Sequence, residues 1–134
     1  MTETSMQLVE RLFDAFNRRD AEAIAELCHQ EMEFFAVTGE EVGRGEPYMG
    51  PDGLHEYLSD VARVWEELLI TVKEVESQGN RLLVRGRVYL RSRDLGIRDM
   101  PIAWIWQARD GRFIRGEAFP DPELAEARFG RVSA

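Results

Sequence analysis

Glu117 and Asp121 stand where carboxylates could move protons. They close an aromatic stretch that reads Ile102-Ala-Trp104-Ile-Trp106-Gln-Ala-Arg109, then Asp110-Gly111, then Arg112-Phe-Ile-Arg115-Gly-Glu117-Ala-Phe119-Pro-Asp121. A carboxyl group among apolar side chains resists ionisation, because its charged form loses water, and such a group serves as a general acid or base. Arg115 is suited to stabilise negative charge growing on a substrate oxygen. Each carboxylate also has a structural reading. Glu117 can form a cross-strand ion pair with Arg115. Asp121 can cap a helix opened by Pro122. Both readings of each residue stay open at this point.

The element that must position these groups is a β-hairpin. Asp110-Gly111 between two alternating runs is a strong two-residue turn signal. Counting outward from that turn sets Arg109 opposite Arg112, Trp106 opposite Arg115, Trp104 opposite Glu117 and Ile102 opposite Phe119. Side chains alternate along a strand, so one face would carry both indoles, Phe113, Phe119, Arg115 and Glu117. An apolar wall with a few polar groups is what a small-molecule pocket requires. Tyr48, Tyr57 and Trp65 are the candidates for the opposite wall. Tyr57 and Trp65 are eight residues apart and share a helix face; packing alone also explains them. Tyr48 lies on a loop, where its hydroxyl could reach a ligand or pack a turn.

Upstream elements follow from periodicity. Ser5 to Asn17 reads as an amphipathic helix through Leu8, Val9, Leu12, Phe13 and Phe16. Asp20 is the N-cap of a second helix through Cys28, and His29 sits at its end. Glu31 to Val37 reads as a strand, and Thr38 to Gly50 as a Gly- and Glu-rich loop. A third helix opens at Pro51 and runs to about Glu67. Strands follow over Ile70–Val75 and Leu82–Leu90, then a loop over Ser92–Arg98. In Leu82–Leu90 the even positions form the core set, and Gly86 marks a bulge or bend. Helices gathered before an antiparallel run indicate an α+β domain.

Composition narrows the function classes. A chain of 134 residues reads as a single domain spanning 1–134. A net charge of −8 argues against a nucleic-acid partner, although Arg85, Arg87, Arg91 and Arg93 make a local basic strip that also suits a solvated edge. No apolar run approaches a membrane span, and no secretory leader opens the chain. One cysteine, Cys28, precludes an internal disulfide and fits a cytoplasmic location. Cys28 reads as buried filler rather than a nucleophile. His29 and His55 are too isolated for a metal site. No phosphate loop or dinucleotide fingerprint is present, so no cofactor is expected.

Three phrases carry a family resemblance: Leu12-Phe-Asp-Ala-Phe-Asn-Arg-Arg-Asp20, Tyr48-Met-Gly-Pro-Asp-Gly-Leu54, and Trp106-Gln-Ala-Arg-Asp-Gly-Arg-Phe-Ile-Arg-Gly-Glu-Ala-Phe-Pro-Asp121. Their order and spacing resemble the SnoaL-like group of the nuclear transport factor 2-like superfamily. The resemblance implies a cone-shaped α+β roll, a strongly curved mixed β-sheet wrapped around three N-terminal helices. It further implies a homodimer with a pocket between helices and sheet. Polyketide cyclases, ketosteroid isomerases, epoxide hydrolases, dehydratases and non-catalytic binding domains share that fold, so fold alone leaves the chemistry open. Many SnoaL-like chains carry a His two residues before the strand Trp; Trp104 stands there instead. The sequence therefore supports an acid–base enzyme on a small hydrophobic substrate, a non-catalytic binder of such a molecule, or a structural dimerisation module.

Overall fold

A computed structural model describes residues 5–36 and 47–130. The Gly- and Glu-rich loop expected from Thr38 lies outside the described residues as far as position 46. The elements in chain order are α1 (Ser5–Arg18), α2 (Ala21–Leu27), β1 (Cys28–Phe35), β2 (Tyr48–Met49), α3 (Gly50–Val64), β3 (Glu67–Gln78), β4 (Arg81–Ser92), β5 (Gly96–Arg109), β6 (Arg112–Phe119) and α4 (Pro122–Phe129). One six-stranded mixed sheet has the order β2-β1-β6-β5-β4-β3. Among the described residues, only the β1–β6 pair is parallel. This is the α+β architecture expected, with α1, α2 and α3 ahead of the β3–β6 run.

Local chemistry accounts for the boundaries. The Asp20 side chain accepts a hydrogen bond from Ala23 N at 3.1 Å, satisfying a donor that α2 cannot use internally. Asp121 does the same for α4, accepting from Glu123 N at 3.0 Å with Pro122 in the first turn. The Asp110-Gly111 turn has φ of 54° and 77°, the left-handed pair that an aspartate and a glycine tolerate. Several expected boundaries move. Helix α3 ends at Val64 with Trp65 as its C-cap, short of Glu67, and β3 and β4 run longer than expected. Cys28 and His29 belong to β1 rather than to α2. His29 instead accepts from Glu31 N at 3.1 Å through Nδ1 and meets Arg109 through Nε2 at 3.3 Å. Tyr48 lies in the short strand β2, not in a loop. The expected loop over Ser92–Arg98 shrinks to a tight turn at Arg93–Leu95 between long strands, in which Ser92 Oγ accepts from Asp94 N and Leu95 N, both at 3.2 Å, while Gly96, Ile97 and Arg98 belong to β5.

The pairing of β4 is irregular near Gly86. Its partner β3 changes register between Val72 and Glu74, a bulge of the kind that bends a strand, and Gly86 lies against the Thr71 carbonyl with no room for a Cβ. Helix α1 crosses this end and is pinned there by Asn17. The Asn17 amide donates to Ile70 O at 2.9 Å, and its carbonyl oxygen accepts from Ile70 N at 2.8 Å. One side chain thus pairs both backbone groups of an edge-strand residue.

The sheet has two unlike faces. The inner face meets the helices in an apolar core built around Phe13, Phe16, Phe34, Tyr57, Trp106 and Phe113. On the outer face α4 lays Ala125 and Phe129 over Leu83, Ala103, Ile105 and Phe119. The rest of the outer face carries ion pairs such as Arg87–Asp99 and Arg91–Glu67, which is where the expected basic strip resides.

Candidate functional site

A single extra residue in β6 decides which groups can meet a ligand. The hairpin leaves its turn with Arg109 opposite Arg112 and Ala108 opposite Phe113. It then shifts, so that Gln107 faces Arg115, Trp106 faces Gly116, Ile105 faces Glu117 and Trp104 faces Ala118. The bulge absorbs Ile114 and reverses the alternation beyond it. Trp104 and Trp106 stay inside. Arg115, Glu117 and Phe119 move to the outer face, contrary to the register counted from the turn.

On that outer face Arg115 donates to Glu117 Oε1 at 3.0 Å, and its guanidinium lies 4.7 Å from the centre of the Phe35 ring. Glu117 is therefore half of an ion pair on the side of the sheet away from both indoles. Asp121 caps α4, is exposed, and begins the helix that covers the outer face. A polar groove of about 180 Å3 does run past Glu117, walled by Arg81, Gln107, Arg115 and Arg128 over Ile105 and Phe119. Several of its polar groups are already engaged. Arg81 donates to the carbonyls of Phe129 and Arg128 at 2.8 and 3.2 Å, closing the C-terminus of α4.

The inner face holds an apolar cleft. Tyr57 of α3 and Phe34 of β1 face Trp104, Ile102 and Met100 of β5, and Leu68, Ile70, Val88, Leu90 and Ala118 complete the walls. The concavity measures about 350 Å3 with its mouth, and the enclosed cavity about 30 Å3, room for about two waters at roughly 10–15 Å3 each. Most of the expected hollow is thus occupied by rings. Phe34 stacks on Trp106 with an interplanar angle of 8° and a centroid distance of 5.6 Å. Phe34 also meets Tyr57 edge-on at 5.0 Å.

The residues expected on the pocket wall therefore divide. Trp104 and Tyr57 line the cleft. Trp106 and Trp65 are wholly buried and do not touch it; Trp106 is the centre of the aromatic core, and Trp65 sits at the C-terminal cap of α3. Tyr48 is buried, and its hydroxyl donates to Asp60 Oδ2 at 2.9 Å, which Arg63 also meets at 2.7 Å through Oδ1. Sequence reasoning missed Met100, Leu68 and Phe34 as lining residues. For Met100 the signal was present: it is two residues from Ile102 on the same alternation, but the expected pairing was counted outward only as far as Ile102. Burial pushes the Cys28 thiol up to about 12, so at neutral pH it stays protonated and unreactive. Among the described residues, no cluster of three or more His, Cys, Asp or Glu could hold a metal ion.

The chain belongs to the SnoaL-like domain family, whose model matches residues 9–116. Among solved structures it is similar to TerC co-crystallised with polyporic acid, at 24% identity and a TM-score of 0.76, covering 89% of this chain and 92% of that one. It is also similar to a nuclear transport factor 2-like protein of unknown function from Burkholderia pseudomallei, at 20% identity and a TM-score of 0.78, with 89% and 92% covered. A putative polyketide cyclase from Sinorhizobium meliloti matches at 19% identity and a TM-score of 0.69, with 87% and 100% covered. No curated protein matches the sequence. Among the described residues, no helix is long and apolar enough to cross a membrane.

Proposed function

We propose that the protein binds a small, largely apolar organic molecule in the inner cleft and performs no acid–base chemistry with Glu117 or Asp121. One observation carries this reading: every lining side chain is apolar apart from the phenol of Tyr57 and the indole N–H of Trp104, and none is a carboxylate, imidazole or thiol. A cleft without carboxylate, imidazole or thiol lacks an evident group to move a proton, yet suits an apolar guest. The co-crystallisation of TerC with polyporic acid supports a small organic occupant in this family. An occupant larger than about two waters requires the walls to part. Met100, unbranched and half-buried, is the side chain best able to yield.

The test uses 3-phenylpropan-1-ol as a neutral aromatic probe. Its binding should raise the melting temperature in proportion to occupancy. Trp104→Ala should weaken binding about tenfold, roughly the loss expected when one buried aromatic contact is removed. Glu117→Gln should leave it unchanged. A probe that gives no shift with the unaltered protein would remove the binding reading, and conversion of a bound molecule would replace it with an enzymatic one.

The same reading extends to assembly in the cytoplasm as a homodimer. Helix α4 leaves part of the outer face uncovered, with Leu69 47% and Ile97 65% exposed around Tyr89. Leu69, Tyr89 and Ile97 lie among the Arg87–Asp99 and Arg91–Glu67 ion pairs of that face, and such a mixed apolar and charged surface suits a second copy. Light scattering should give twice the mass of one chain, and Ile97→Lys should halve it. A single-chain mass for the unaltered protein would end this part of the proposal.

A further inference from the structure

The outer-face groove beside α4 holds a surplus of cations. Arg81 pairs with Gln107 across β4 and β5, and Gln107 pairs with Arg115 across β5 and β6, so the three form one row over three strands. Neighbouring strands lie about 4.8 Å apart, which sets the backbones of Arg81 and Arg115 about 10 Å apart with Gln107 between them. Arg128 joins the same groove from α4, and among the described residues Glu117 is the one carboxylate in its walls. Arg115 reaches this face only because the bulge at Ile114 turns it outward, and bulges commonly re-aim a side chain in this way.

Along the rest of β4 arginine and carboxylate are matched. Arg85 meets Glu74, Glu76 and Glu126, Arg87 meets Asp99, and Arg91 meets Glu66 and Glu67. In the groove, among the described residues, only Arg115 has a carboxylate partner, Glu117. Arg81 lies 4.9 Å from the centre of the Phe129 ring and donates to two carbonyls of α4, yet a guanidinium has five N–H groups and others remain. Neither the guanidinium of Arg128 nor the side-chain amide of Gln107 has a hydrogen-bond partner among the described residues. Glu33 of β1 is next in the row beyond Arg115 but does not wall the groove. In a chain of net charge −8 this excess of positive charge is strictly local.

We propose that this groove is a second ligand site, one that takes a small phosphate monoester. Three guanidiniums sharing one carboxylate repel one another, and an anion among them relieves that repulsion. A phosphate monoester brings about two negative charges and three terminal oxygens. Arg81 and Arg115 stand on either side of Gln107 in the sheet, and Arg128 stands on the helix that covers it, so donors surround the groove on several sides. A carboxylate has one charge and two oxygens in one plane, and it satisfies fewer of them. The groove holds about a dozen waters at roughly 15 Å3 each, enough for a phosphate with a short organic body over Ile105 and Phe119. It lies across the sheet from the inner cleft and does not rest on the binding reading above.

The experiment is calorimetric titration of the full chain with phenyl phosphate and with benzoate, near neutral pH and at low salt. The unaltered protein should bind phenyl phosphate about tenfold more tightly than benzoate, the scale of one further charge-assisted hydrogen bond. Arg128→Gln should weaken phenyl phosphate about tenfold, and its side chain is exposed, so the fold should stand. Glu117→Gln should tighten phenyl phosphate about threefold, because the one competing carboxylate is gone. Arg81 is a poor test residue, since it also closes the C-terminus of α4. An excess of 3-phenylpropan-1-ol, the probe of the inner cleft, should not displace phenyl phosphate. Equal affinity for the two anions, or phenyl phosphate binding that Arg128→Gln leaves unmoved or Glu117→Gln weakens, overturns the proposal. Displacement by the alcohol puts phenyl phosphate in the inner cleft and overturns it as well. Failure of phenyl phosphate to bind ends this inference and leaves the inner-cleft reading standing.

Discussion

Gly116→Ala should cost about 3 kcal/mol of folding stability, the upper range for an overpacked core. A Cβ at this position would overlap the six-membered ring of Trp106 at Cζ3, Cε3 and Cη2. The indole has nowhere to retreat. Phe34 lies parallel to it, Phe113 meets it at 5.1 Å, and Phe13 meets it edge-on at 6.0 Å. Denaturant unfolding followed by tryptophan fluorescence measures the loss. Adding Trp106→Phe to Gly116→Ala should recover part of it, because a smaller ring relieves the overlap. A single variant within about 0.5 kcal/mol of the unaltered protein would show that the aromatic core repacks, against the tight interior expected of a folded domain.

Gly86→Ala should lower the melting temperature by about 10 °C, which corresponds to roughly 2–4 kcal/mol in a domain of this size. Here the obstacle is backbone. The new methyl group would meet the Thr71 carbonyl, which belongs to the neighbouring strand at its register shift. A side chain could swing away; a paired strand must move as a unit. That movement would shift the sheet where Ile70 and Val88 form cleft walls, so probe binding should fall along with stability. An unchanged melting temperature would mean that β3 separates from β4 at this point without penalty, and the bulge would then need another cause.

The sequence carried much of this architecture where the signal was local. Asp20 and Asp121 cap the helices they precede. Asp110-Gly111 forms the tight turn, and Gly86 marks the bulge. These features depend on a few adjacent residues and the geometry of one turn. The site was less legible because it depends on side-chain alternation over a distance. One bulge at Ile114 carried Arg115 and Glu117 through the sheet to its far side. That bulge lies where β6 must pair antiparallel with β5 and parallel with β1, whose own register is also irregular. No residue type in the hairpin announces that double constraint. The early start of β5 at Gly96 was hidden for a related reason: Ser92, Arg93, Asp94 and Gly96 are polar or turn-forming, as a loop would be.

Asn17 has a bearing on how the molecule behaves in a crowd. β3 is a border strand, and a border strand is a template on which a foreign extended segment can zip up, the first step toward fibrils. The amide at the end of α1 sits on one rung of that template and fills both its positions, at 2.9 and 2.8 Å. An incoming chain would find that rung taken midway along the ladder. At the opposite border, β2 has two residues, too little to seed a long pairing. A polar residue outside the cleft thus occupies a rung on which a foreign strand would otherwise begin to pair.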